Sequence, residues 1–181
     1  VSIRNYPVMS DMPDLYSESF DQAIATFGAQ GVTHDDVKEY LITCIRRFKP
    51  QVIVTHDLNG EYKHGAHILM AHTMTEVIGY SDDASKFPES AEQYGTWAPL
   101  KTYLHLYTEN KITLDWDTPY ESMGGLTPFQ VSQNGFRCHK SQHWTGFYKW
   151  MYGTTDAPIT KASQITKYSP CEFGLYYTKV G

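Results

Sequence analysis

The sequence is poor in cysteine. Cys44, Cys138 and Cys171 are the only three in 181 residues. Their odd number and wide spacing exclude a disulfide framework or a zinc knuckle and leave reduced thiols. There is no basic excess either: fifteen Lys and Arg against twenty Asp and Glu give a net charge of −5, which argues against a nucleic-acid partner. Long hydrophobic runs are missing. Val52-Ile53-Val54 is representative, far short of a membrane span. No Gly-rich phosphate loop, Walker sequence or nucleophile elbow is present, and no internal repeat or low-complexity tract. The chain opens on Val1-Ser2-Ile3-Arg4, without an initiator Met or a charged-then-apolar leader. It reads like the middle of something, a fragment or a processed chain, and with no signal in view the expected location is the cytoplasm.

What is present is a globular composition. Apolar residues make up 41% and charged residues 19%, which excludes disorder as the main state. The length suits a single domain or most of one. Aromatics reach 14%, with fourteen tyrosines and four tryptophans. Such a surplus suits a sugar-facing surface, although core packing is the commoner use.

The hydrophobic pattern predicts a helix over 14–27, with Tyr16, Phe20, Ala23, Ile24 and Phe27 on one stripe. A clearer helix over 34–49 starts at Thr33, a good N-cap with Asp36 three residues on. Val37, Tyr40, Leu41, Cys44, Ile45 and Phe48 form its stripe, Arg46, Arg47 and Lys49 crowd its last turn, and Pro50 stops it. Gln51–Thr55 is a short β-branched run after a helix, the pattern of a parallel strand covered on both faces. A loop over 56–63 and a helix from about His64 to Ile78 follow. Helix, strand, loop, helix is the unit of a doubly wound α/β sheet, where ligands bind beyond the carboxyl ends of the strands. The expected fold class is therefore α/β. Further on, 103–107 and 112–116 alternate as strands, Thr127-Pro128 opens a helix reaching the His139–Gln142 region, and Phe173, Leu175 and Tyr177 alternate in a last strand.

The strongest chemical signal is His64-Gly65-Ala66-His67. Two histidines at i, i+3 on a first helical turn project to one side, and imidazole is the commonest metal ligand. A metal needs further ligands; otherwise these are surface or capping histidines. His72 lies about 140° from His67 on an ideal helix and is a poor third ligand. His34-Asp35-Asp36 reads as cap and first-turn residues, where acids are expected. His56-Asp57 sits at the strand end, lining the site or bonding within the loop. Asn59-Gly60 is first of all a turn signal. His139-Lys140-Ser141-Gln142 is a polar cluster whose plainer reading is a helix face.

From Thr55 to His67 (Thr-His-Asp-Leu-Asn-Gly-Glu-Tyr-Lys-His-Gly-Ala-His) the chain resembles the PIG-L/LmbE family of zinc-dependent N-acetylglucosaminyl deacetylases and amidases. The family pattern is a strand, an Asn-Gly-x-Tyr-type loop, then His-Pro-Asp-His opening a helix. Leu100–Leu104 and Cys138–Gln142 also look like the family's carboxy-terminal half, and the resemblance spans roughly 1–145. It implies a Rossmann-like three-layer α/β/α fold with a mostly parallel sheet lacking its first strands, so that 1–181 is one partial deacetylase domain. It implies Zn2+ as cofactor, with His67 as a ligand. His64 would stabilise the oxyanion or act as general acid to the leaving amine, and Tyr62 would assist there. Asp57, Asn59 and His139 are candidates to bind an N-acetylated amino-sugar substrate. Two departures stand out. Gly65-Ala66 replaces Pro-Asp, and the His-Pro-Asp-Asp-Glu motif that supplies the other ligands and the general base is absent. The resemblance thus gives the chain half a zinc site, expected to bind zinc weakly and to be inactive alone. A non-catalytic sugar-binding or interaction domain of the same fold is the alternative that the departures favour.

Overall fold

The computed structural model describes residues 17–140, 143 and 145–181. The predicted 14–27 helix is therefore seen only in part, as α1 (Phe20–Ala29). Ser19 caps it by accepting from the Gln22 N–H, and Tyr16 lies outside the described residues. α2 (His34–Phe48) carries the expected capping box, with Thr33 and Asp36 bonded reciprocally, and ends on Lys49 in a left-handed conformation. β1 (Val52–Thr55) follows, then the single turn α3 (Gly60–Lys63), α4 (Gly65–Val77), α5 (Pro88–Tyr94) and β2 (Lys101–His105). β3 (Lys111–Thr113), α6 (Pro128–Phe136), α7 (Thr145–Tyr152) and β4 (Glu172–Thr178) complete the order.

The strand order is β1-β2-β4-β3. β1 and β2 are parallel, with Val52 opposite Lys101 and Thr55 opposite Leu104. β4 runs against β2: the Lys179 N–H reaches the Leu100 carbonyl and the Leu175 N–H reaches that of Glu109. The sheet is mixed, and the chain is α/β as its pattern predicts.

Two compact units make up the chain. One runs to Asn110 and takes in Gly174–Gly181; the other is Lys111–Phe173. In the first, the core joins Val37, Leu41 and Ile45 of α2 to Ile53 of β1, Val77 of α4 and Ile78 just beyond it. Ala23 and Phe27 of α1 pack with Leu69 of α4. The second has its own core of Phe129, Ala162, Ile165 and Cys171.

β1 departs from expectation. Ile53 is buried, but Val52 and Val54 are about half exposed, at 51% and 52%. Among the described residues the strand is an outer one, and α2 and α4 cover only the face that carries Ile53. A continuous apolar run satisfies either arrangement, because period-two alternation is invisible when every residue is aliphatic. Two later strands are also displaced: β2 and β3 begin two and one residues before the alternating runs. α6 closes at Phe136, so His139 falls beyond it, while Ser141 and Gln142 lie outside the described residues. Among the described residues, no helix is long and apolar enough to cross a membrane.

Candidate metal and hydrolase site

The site is built where β1 and β2 end side by side. Because Thr55 pairs with Leu104, the next residues, His56 and His105, emerge together at the carboxyl ends of two parallel strands. The chain then turns back on itself. The Gly60 N–H closes the turn on the Asp57 carbonyl at 2.9 Å, as the Asn-Gly signal predicts. Gly60 sits at φ 67°, and a Cβ there would lie 2.6 Å from Ile68 Cγ1. Only glycine brings α3 this close to α4.

Next comes Glu61, at φ 56° and ψ −72°. A non-glycine residue held in that region stores on the order of 1–3 kcal/mol. The strain is offset by what its carboxylate reaches. Oε1 accepts from the Asp57 N–H at 3.0 Å, from His105 Nδ1 at 2.9 Å and from His56 Nδ1 at 3.2 Å. Oε2 accepts from His67 Nδ1 at 2.7 Å. Burial works against the charge, yet hydrogen bonds from His105, His56, His67 and the Asp57 amide outweigh it and hold the carboxyl well below the usual carboxylate range.

His64 and His67 enter on α4. Their ring centres are 4.5 Å apart, so the i, i+3 spacing does bring them together. His67 also stacks on His56, with centres 4.0 Å apart and planes within 13°. Tyr62 stands edge-on to both, 5.9 Å from His64 and 5.6 Å from His67. Burial, then the neighbouring His67 and His56, lower the pKa of His64 against the opposite pull of Glu61. The ring is therefore neutral at pH 7, and its Nδ1 is buried without a hydrogen-bond partner. Burial and the Glu61 charge push the Tyr62 phenol upward, so it keeps its proton.

One ligand atom each from His56, Glu61 and His67 lie within 4.8 Å of one another. Imidazole nitrogens and a carboxylate are donors for a divalent metal, so at least one of these residues can hold such an ion. The other sequence candidates are placed as follows. Asp57 contributes its backbone N–H to Glu61, while its side chain accepts from Asn59 Nδ2 at 3.4 Å. His139 belongs to the second unit, edge-on to Phe136. His72 bonds the Leu58 carbonyl and His34 bonds Thr73 of α4.

Sequence reasoning missed Glu61 and His105. Glu61 occupies the unspecified position of the loop pattern, and only its unusual φ brings its carboxylate inward. His105 has a readable signal: with the strand starting at Lys101, it falls at the strand end, level with His56.

The Gly65 departure has a steric cause. The Gly65 N–H donates to the Ser17 carbonyl at 2.7 Å. A Cβ on Gly65 would overlap Ser17 Oγ and approach the Ser19 carbonyl oxygen to 2.7 Å. Proline lacks the donor and brings a ring into filled space.

No family model matches the chain. It is 49% identical over 65 residues to the mycothiol S-conjugate amidase of Streptomyces coelicolor, covering 35% of this chain and 21% of that protein. It is 43% identical over 87 residues to 1D-myo-inositol 2-acetamido-2-deoxy-alpha-D-glucopyranoside deacetylase 1 of Frankia casuarinae, covering 45% and 27%. The deacetylase 2 of the same description from Saccharopolyspora erythraea is 29% identical over 97 residues, covering 54% and 33%. These matches span between about a fifth and a third of each relative. The curated homologues of this chain are thus amidases and deacetylases of the PIG-L/LmbE family, matched over part of its length.

Proposed function

We propose that the protein is a zinc-dependent amide hydrolase that removes an N-acetyl or other N-acyl group from an amino sugar such as N-acetylglucosamine or its conjugate. The observation that carries the reading is the gathering of His64, His67, Tyr62, His56 and Glu61 at the carboxyl end of β1. The same reading carries a Rossmann-like three-layer arrangement and a partial deacetylase domain.

In this reading His67 holds the ion, with His56 and Glu61 beside it. When bound, zinc lowers the pKa of water toward neutrality and polarises the amide carbonyl. His64 is neutral and its Nδ1 has no partner, so a proton held there can be donated to the carbonyl oxygen as negative charge develops. Removing one such donor typically lowers kcat about 100- to 1,000-fold. Tyr62 keeps its phenolic proton and offers a second donor on the same side. Asp57 and Asn59, on the loop that carries Glu61, are the groups assigned to the sugar hydroxyls.

The test, made with the segment that supplies the remaining metal ligands present, separates His64 at the N-cap of α4 from His67 within it. His67→Ala should lose bound zinc and deacetylation of N-acetylglucosamine conjugates together. His64→Ala should keep the zinc and lower kcat, because its contact is made mainly in the transition state. Metal analysis alongside amine release reads both. A protein so completed that binds zinc stoichiometrically but releases no amine from these conjugates overturns the hydrolase reading and leaves the sugar-binding alternative, which the Gly65-Ala66 departure favours.

A further inference from the structure

Glu61 stands among four donors. Three are imidazole Nδ1 atoms, from His56, His67 and His105, at 3.2, 2.7 and 2.9 Å; the fourth is the Asp57 amide at 3.0 Å. Three of these bonds converge on Oε1 and one falls on Oε2, so the carboxylate is committed mainly to the rings and the loop amide. As a metal ligand, Oε1 would have to surrender one of its three N–H groups. As a bridge between rings it keeps them all. An ionised carboxylate only accepts, so each ring facing it carries a proton on Nδ1 and, in its neutral form, its lone pair on Nε2. The stacking of His56 on His67 adds a second constraint. Ligating lone pairs lie in the ring plane, and two planes within 13° of each other at a 4.0 Å centre separation do not meet at one ion about 2.0–2.1 Å from both nitrogens. Of the stacked pair, one ring takes the metal.

We propose that Glu61 is a positioning residue: it fixes His56, His67 and His105 in the Nδ1–H form, and so presents Nε2 of His67 as the ligating atom of the metal site. A metal-bound histidine commonly donates its other N–H to a carboxylate, which fixes its tautomer and orientation. One carboxylate serving three rings ties the ends of β1 and β2 to α4. The strained Glu61 backbone is then the geometric requirement for aiming one side chain back at two strand ends and a helix. The identity of the ion rests on the hydrolase reading above; the tautomer assignment does not.

The experiment is histidine-selective 15N–1H correlation on the metal-free protein, followed by titration with Zn2+ and Co2+. Wild-type protein should show His56, His67 and His105 protonated on Nδ1. On adding Zn2+, His67 should keep its Nδ1 proton while its Nε2 resonance shifts. Glu61→Gln replaces one acceptor oxygen with a donor NH2, so at least one ring must change tautomer. Zinc affinity should then fall about 10- to 100-fold, as for loss of a group that orients a ligand. Nε2-protonated rings in the wild type, or loss of the His67 Nδ1 proton on Zn2+ binding, would make Glu61 or Nδ1 the ligand and overturn the proposal. Unchanged zinc affinity in a folded Glu61→Gln protein would overturn it too. The wild-type tautomers are readable whether or not the variant folds, and whether or not the protein deacetylates any sugar.

Discussion

Asp117 bonds to residues 45 and 46 positions further along the chain. Its Oδ1 accepts from the Ala162 N–H at 2.6 Å and its Oδ2 from the Ser163 N–H at 3.3 Å, at the 3-10 turn Ala162–Gln164. Burial opposes its charge, but the bonds from Ser163 and from the two amides prevail and lower its pKa. A depressed carboxylate contributes stability that is present above its unfolded pKa and lost as pH falls through the folded one. Asp117→Asn should therefore cost about 1 kcal/mol at neutral pH, in the range of a lost helix cap. That difference should shrink on acidification below the normal carboxylate range. Urea unfolding of both proteins across a pH series checks this; a difference independent of pH would show that the charge is irrelevant. At this scale the sequence is legible where a residue bonds locally. Thr33, Asp36 and the Asn59-Gly60 turn are examples. It is silent where the bond closes a long loop, as for Asp117 and for Glu61 with His105, because spacing carries no information about a partner dozens of residues away.

The same distinction governs the elements. α2 was recognisable from its stripe and its cap, yet one of its residues does something the pattern does not convey. Arg46 reads as one more cation in a last turn. It is instead fully buried and donates to the carbonyls of Ser81, Phe87 and Asp83 and to Ser90 Oγ, at 2.7–3.2 Å. It pins the connection between α4 and α5 to α2, where a planar five-donor fork is needed. Arg46→Met should leave these acceptors without the donor and destabilise by about 3 kcal/mol or more. Arg46→Lys should recover little, since one ammonium cannot match the fork. Arg47, exposed on the next position and lying over the Phe48 ring, is the control: Arg47→Met should change stability by less than about 0.5 kcal/mol. Equal effects at 46 and 47 in denaturant unfolding would refute the assignment.

For the molecule as a whole, the sheet explains both what was readable and what was not. Class and order of the first elements follow from periodicity, because α2, β1 and α4 are each amphipathic or apolar in their own right. The exposure of one face of β1 does not, since it depends on strand order. With Ile53 inward and Val52 and Val54 outward, the outer strand of the described sheet offers aliphatic side chains at its edge, the arrangement that favours strand addition. Val52→Lys should suppress concentration-dependent association while changing stability by less than about 0.5 kcal/mol. Sedimentation velocity at several protein concentrations measures the first and urea unfolding the second. Association unaffected by the lysine would place the sticky surface elsewhere.

The contact of Gly65 with Ser17 and Ser19 bears on which sequences can be reached from this one by single steps. Ser17 Oγ and the Ser19 carbonyl occupy the space that a side chain at 65 would need, and the Ser17 carbonyl takes the Gly65 N–H. Ser19 is also the cap of α1. A change from glycine to the proline of the family pattern therefore meets a barrier set nearly fifty positions upstream, and becomes acceptable only in a background where the entry to α1 has already moved. Glycine at 65 and the path of 17–19 are a coupled pair: each constrains the other, and the proline pattern cannot be reached one residue at a time.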